Sequence, residues 1–365
     1  MDTIFHVGMS KAGSTALQDS LLASYDTLVE HKVLYPKNAP SAKFNNHELL
    51  LYAFGSFDRQ PSHVRARHPS EQELFSAFND HVTSIRAQIA SHSPNCLVLS
   101  AEHMWRSLPI DKEGRSVQDL KELWGERITL SAYIRRPSAR YLSALQQGLR
   151  RGLFFQPPAP TYKKPISILE EVFGKQTVVP AVLDRSLMKG GSISIDFAER
   201  YLKQYGVEPL KLEEPKRSNQ SVSAAAMSLL DKFASQRNIG KATTVNVQDL
   251  RREIQRAERC LNLTKPKIKQ GAADRIDYSS TEPVWLRDQY GIEFPDFDYA
   301  RLEKGRAHEL AREETLDTLI EVDPDEFQSL VSHLARRAKK KQVRSFARQF
   351  RAPSKSFWLR LTGGK

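Results

Sequence analysis

Short β-favouring runs alternate with helically spaced apolar residues through the first half of the chain. Thr3 to Val7 is the first such run; a Gly/Ser/Lys loop from Gly8 to Ser14 follows, and Leu17, Leu21, Leu22 and Leu28 then recur at helical spacing. The same change of period appears where Cys96-Leu97-Val98-Leu99 ends at Ser100-Ala101-Glu102. It appears again where Ile128 to Ile134 ends at Arg135-Arg136-Pro137. Pro137 suits the first turn of a helix, whose course Ala139, Leu142, Leu145, Gln146 and Leu149 mark. Between Ser41 and Ser93 the pattern is mainly helical, with a loop near Arg59 to Pro69, and Gln156 to Pro165 is a Pro-rich connector. A strand-like Thr177 to Val182, a Gly190-Gly191 turn and a helix carrying Phe197, Tyr201 and Tyr205 come next; helices dominate after Arg217.

Strands alternating with helices predict an α/β fold built of right-handed βαβ units, with a central, mostly parallel sheet flanked by helices in three layers. Ligands in such folds bind beyond the carboxyl ends of the strands, where the Gly/Ser/Lys loop, Glu102 and Arg135 all fall. The pattern divides the chain into an α/β domain over 1–300, with a helical insertion at about 41–93, a helical extension over 301–335, and a basic amphipathic or disordered tail over 336–365.

Composition changes this picture in three ways. With 365 residues, 40% hydrophobic and 27% charged, the chain has the make-up of a globular protein with a buried core, which excludes wholesale disorder. The net charge of +12 is concentrated at the end: residues 336–365 hold eleven basic and no acidic side chains, leaving +1 on the other 335 residues. That excludes reading the body as a nucleic-acid-binding surface, and no specific nucleic acid is expected as a partner. The two cysteines, Cys96 and Cys260, are too few for a disulfide framework and point to a reducing compartment. The apolar runs are too short to span a membrane and the first residues lack the features of a signal peptide, so a cytoplasmic location is expected.

The most informative local motif is Gly8-Met9-Ser10-Lys11-Ala12-Gly13-Ser14-Thr15. Two glycines between a strand and a helix let the backbone turn its N–H groups inward, and the helix N-terminus favours an anion. The spacing is that of a P-loop, but Ser14 stands where a nucleoside-triphosphate P-loop has its lysine, so the fold is expected to be P-loop-like. In the second motif, Arg135 ends a strand and Ser143 lies eight residues on, so that a guanidinium and a hydroxyl can grip one phosphate from two sides. The bland alternatives are a surface arginine and a serine bonded to its own helical turn.

Together, His6 to Thr15 (His-Val-Gly-x-x-Lys-x-Gly-Ser-Thr) and Arg135 to Ser143 (Arg-x-Pro-x-x-x-x-x-Ser) resemble two motifs of sulfotransferases that use 3′-phosphoadenosine 5′-phosphosulfate (PAPS): the 5′-phosphosulfate loop and the 3′-phosphate motif. The likeness is greatest to the bacterial, carbohydrate-type branch. It is specific over 1–20 and 95–150, and extends diffusely through Val33-Leu34-Tyr35-Pro36 and Gly190 to Gly206. The resemblance implies a sulfuryl transfer from PAPS to an acceptor hydroxyl, most naturally of a saccharide or glycoconjugate, leaving 3′-phosphoadenosine 5′-phosphate (PAP). No metal is required, because the group transferred carries one negative charge.

By the same resemblance Lys11 stabilises charge on the departing 5′-phosphate, which Gly8, Ser10, Ala12, Gly13, Ser14 and Thr15 hold, and Arg135 and Ser143 take the 3′-phosphate. An acceptor hydroxyl needs a base in the transition state, and Glu102 is the candidate; adjacent His103, or His47, could serve instead. His47 and Tyr35 are expected on the acceptor side. Glu102 has an alternative as a carboxylate satisfying the N-terminus of a following helix. A nucleotide kinase-like enzyme and a non-enzymatic anion- or membrane-binding protein are the competing classes.

In the C-terminal region Phe327, Leu330, Val331 and Leu334, then Val343, Phe346, Ala347 and Phe350, recur at helical spacing with Arg and Lys between them, and Phe357-Trp358-Leu359 follows. This predicts a basic amphipathic helix suited to peripheral contact with the inner face of an anionic membrane, or else a helix packed on its own domain.

Overall fold

The computed structural model describes residues 1–9, 12–38, 46–54, 57–60, 62–102, 104–107, 123, 125, 127–152, 161–212, 221–238, 245–303 and 315–351. Ser10, Lys11, His103 and the Phe357 to Leu359 cluster therefore lie outside the described residues. The chain divides into two compact units: Met1–Arg136 with Thr161–Ser218 and Thr281–Arg306, and Pro137–Pro160 with Asn219–Ser280 and Ala307–Lys365. These divisions fall elsewhere than the expected boundary at residue 300.

The first unit is an α/β layer structure around a five-stranded parallel sheet. Its strands are β1 (Asp2–His6), β2 (Val33–Leu34), β3 (Cys96–Ser100), β4 (Arg127–Ile134) and β5 (Val178–Val182), in the order β2-β3-β1-β4-β5. β3 is buried throughout and β1 from Thr3 to His6, which is why these segments read as unbroken apolar runs and not as alternations. β2 has two residues, too few to show a period, and the apolar spacing does not reveal it.

Helix α1 (Ser14–Ala23) follows the Gly8 loop; the expected longer helix breaks at Ser24, and a second helix runs over Tyr25–Glu30. Helix α2 (Glu71–His92) is started by the Ser70 side chain, which accepts the Glu73 N–H at 3.2 Å. The β1-to-β2 connection runs toward one edge of the sheet, whereas β2-to-β3, β3-to-β4 and β4-to-β5 all run toward the other. Right-handed crossovers then send the chain leaving β1 to one face, and the chain leaving its neighbours to the opposite face. The point where they diverge, beyond the carboxyl ends, is the place at which sheets of this kind bind ligands.

The second unit is helical. Helix α3 (Pro137–Arg150), α4 (Ala224–Asn238), α5 (Val247–Glu258), α6 (Gln270–Asp277), α7 (Pro324–Arg337) and α8 (Lys341–Arg348) share one apolar core that includes Leu145, Leu229, Phe233, Ile254, Leu330 and Phe346. The residues from Ala224 to Leu230 are all buried, as expected of a central helix with no polar face in that stretch. Helix α7 carries its own start and stop chemistry: Asp323 accepts the N–H groups of Asp325 and Glu326, Pro324 opens the first turn, and Arg336 and Arg337 occupy the last. The residues from Lys341 to Arg348 are a docked helix, with Val343, Phe346 and Ala347 buried. Among the described residues no helix is long and apolar enough to cross a membrane.

Candidate functional site

Because the sheet is parallel and ordered β3-β1-β4 at its centre, three of the segments singled out in the sequence come out on the same edge. The Gly8 loop leaves the middle strand, Glu102 follows β3 on one side, and Arg135 follows β4 on the other. At the ordinary strand spacing the two flanking strand ends lie roughly 10 Å apart, with the loop between them.

The loop is held close to the sheet. The Val7 N–H donates to Ser131 O at 2.9 Å, and the Ala12 N–H donates to Met9 O at 2.9 Å. Gly8, Met9, Ala12 and Ser14 are buried, while Thr15 is exposed. Gly8 is required by space: a Cβ there would stand 2.4 Å from Ser14 Oγ and 2.6 Å from His6 Cε1. Gly13 is required by conformation, with φ 82°, and a Cβ on it would meet Ile193 Cδ1 at 3.0 Å. Having no side chain, it leaves the first turn of α1 without a side-chain cap.

The first unit holds buried polar atoms with no partner among the described residues, two of them against Gly8. Ser14 Oγ, His6 Nε2, Ser194 Oγ and Arg135 Nε are all buried and unbonded. The position of a Gly8 Cβ is within 2.4 Å of Ser14 Oγ and 2.7 Å of His6 Nε2, so these two atoms line the same side of the glycine. The histidine's protonation follows from its other nitrogen. Ser100 Oγ receives the Gln18 amide at 2.9 Å and lies 2.9 Å from His6 Nδ1. If the serine hydroxyl donates to Nδ1, every group in this buried chain is satisfied except an Nε2–H; the other tautomer leaves two groups unmet. Burial lowers the His6 pKa to about 4, so the ring is neutral and presents an N–H toward the loop.

Arg135 is half-buried. Its backbone carbonyl accepts the Tyr162 hydroxyl at 2.8 Å, which fixes the chain at the strand end. Burial pushes its pKa down, opposed by the charge of Asp184 just past β5. Hydrogen bonds from Ser186 and the Arg135 charge hold the Asp184 carboxyl below its ordinary value. Arg136 is used otherwise: it donates to Pro295 O at 3.1 Å and lies over the Phe297 ring. Ser143, half-buried on α3, belongs to the second unit.

Glu102 is half-buried in the turn after β3, and its carboxylate bonds to no described residue, including the N-terminus of the short helix Met104–Ser107. His47 and Tyr35, expected on the acceptor side, are 0% and 1% exposed. His47 Nδ1 accepts the Ser100 N–H at 3.0 Å, its own N–H donates to Ser100 O at 2.7 Å, and Nε2 donates to Pro36 O at 3.2 Å. Burial and the neighbouring His81 push its pKa down to about 3. Both ring nitrogens are occupied in the core, and the Tyr35 ring packs edge-on against the imidazole at 5.0 Å.

Sequence reasoning did not single out His6, Ser194 or Asp184 as members of this edge. A histidine inside an otherwise apolar strand was a usable signal, since a buried imidazole demands a partner; Ser194 had none. Compared with family models, with curated proteins and with solved structures, the chain matches none of them.

Proposed function

We propose that this protein is a PAPS-dependent sulfotransferase with a P-loop-like fold, moving a sulfuryl group to a hydroxyl of a saccharide or glycoconjugate. The observation that carries the reading is the placing of an uncapped, doubly constrained glycine loop at the centre of the sheet edge. A carboxylate that bonds to no described residue follows the strand on one side, and a guanidinium whose Nε has no partner among the described residues follows the strand on the other.

An anionic nucleotide fits what is there. Among the described residues the first turn of α1 has no side-chain cap and the Ser14 hydroxyl and the His6 Nε2 have no partner, and a phosphate supplies acceptors to such donors. In this reading Arg135 takes the 3′-phosphate, the group that separates PAPS from ATP. Glu102, bonded to no described residue, takes the acceptor proton as the hydroxyl oxygen attacks sulfur and the bond to the 5′-phosphate oxygen breaks. Lys11 enters through the motif, as the cation that offsets charge on that oxygen.

The test is a thermal-shift titration with PAP in the absence of metal, beside ATP with Mg²⁺. PAP at a hundred times its dissociation constant is expected to stabilise the protein by about 2.7 kcal/mol. Arg135→Ala is expected to lose that shift, and Glu102→Gln to keep it while losing sulfuryl transfer from PAPS. Stabilisation by ATP with Mg²⁺ alone would assign the loop to a kinase-like enzyme, and stabilisation by neither would remove the nucleotide reading.

A further inference from the structure

We propose that the C-terminal end of the second unit docks this protein on an anionic lipid bilayer, through a cationic platform formed by the end of α7 and by α8. Arg336, Arg337, Lys339, Lys340, Lys341 and Arg348 are exposed, as is Arg351 beyond them. Among the described residues none of these side chains forms an ion pair, and the chain has no acidic residue after Glu326.

The platform has a fixed shape. Leu330, Val331 and Leu334 of α7, and Val343, Phe346 and Ala347 of α8, are all buried in the helical core. Phe346 meets Phe233 edge-on at 5.8 Å, Gln328 donates to Phe350 O at 3.1 Å, and Lys232 lies over the Phe327 and Phe350 rings. The apolar stripe that the sequence offered to a membrane is therefore consumed within the protein. What these two helices present outward is charge, and they adsorb to a partner without inserting into it.

The choice of a bilayer over an acidic polymer comes from what the chain carries next. Residues 355–361 read Lys-Ser-Phe-Trp-Leu-Arg-Leu, four large apolar side chains among cations. Trp and Phe beside Lys and Arg suit the headgroup boundary, where apolar rings and cations are both satisfied; an acidic polymer would use the cations and leave the rings without a role. A polybasic patch combined with a short apolar element is the two-signal arrangement that stable peripheral binding requires. The proposal is independent of the donor nucleotide.

The test is co-sedimentation of the full chain with vesicles of phosphatidylcholine alone and of phosphatidylcholine with phosphatidylserine, at physiological salt. Wild type is expected to sediment with the anionic vesicles only. Lys339→Gln/Lys340→Gln/Lys341→Gln, at exposed positions and with an unchanged melting temperature, is expected to weaken that binding about a hundredfold. Phe357→Ser/Trp358→Ser is expected to lose the vesicles while still being retained on heparin. Equal partition of wild type onto both vesicles would overturn the proposal. So would retention on heparin or RNA without vesicle binding, which would make the surface one for acidic polymers, or vesicle binding unaffected by Lys339→Gln/Lys340→Gln/Lys341→Gln, which would take the platform out of the contact.

Discussion

Gly8 has no room for a methyl group, because the space beside it is already taken by Ser14 Oγ and the His6 ring. Gly8→Ala must push one of them aside or shift the loop, at about 1–3 kcal/mol for overpacking a buried site. Whichever gives way, the alignment of the unbonded hydroxyl and imidazole with the α1 N-terminus is lost. The variant is expected to show a lower urea midpoint and no stabilisation by PAP. Wild-type stability together with a full nucleotide shift would mean that the loop is not the cradle. Neither glycine's necessity is visible as such in the sequence: the motif shows that two glycines are present, and the packing shows that Gly8 answers to a steric limit and Gly13 to a left-handed backbone.

Helix α3 shows what an element draws from distant parts of the chain. Pro137 suits its first turn, as the sequence suggests, but its N-terminus is capped from 139 residues away. The Ser138 N–H donates to Asp277 Oδ1 at 2.8 Å and the Ser138 hydroxyl to Oδ2 at 3.0 Å, with Asp277 1% exposed. Asp277→Ala is expected to leave a buried N–H unpaired and to destabilise the protein by about 1–3 kcal/mol, measurable as a fall in melting temperature. A change within a few tenths of a kcal/mol would show that water replaces the carboxylate. The amphipathic spacing of α3 was legible from Leu142, Leu145 and Leu149; the core that its apolar face joins was not, since a 3.6-residue period says which side is buried and not against what.

For the whole molecule, three buried histidines tie stability to pH. Burial lowers His6 and His81 to about 4, and burial with the adjacent His81 lowers His47 to about 3, against 6.5 for the unperturbed group. Below pH 6.5 the unfolded chain takes up protons that the folded protein refuses. Stability is therefore complete above that pH and falls steadily as the pH drops toward the folded values, with a slope approaching about 4 kcal/mol per pH unit when all three contribute. Urea midpoints measured between pH 7.5 and 4.5 are expected to fall with acid; a flat profile would show that these rings ionise freely in the folded protein.

The sequence by itself determined the alternation of strand and helix, the loop at Gly8 to Ser14, the strand ends at Glu102 and Arg135, and the concentration of charge after Arg336. Each is set by neighbours a few residues apart: fully buried strands are apolar throughout, helices repeat every 3.6 residues, and a turn needs glycine where a side chain has no space. Only the tertiary structure decided that β1 lies between β3 and β4, so that Glu102 and Arg135 follow the strands on either side of the one that leads into Gly8. It also decided that His47 and Tyr35 are core residues and that the apolar face of α8 is covered. Those outcomes depend on which elements pair across long stretches of chain, and a side chain's period carries no record of the partner that covers it.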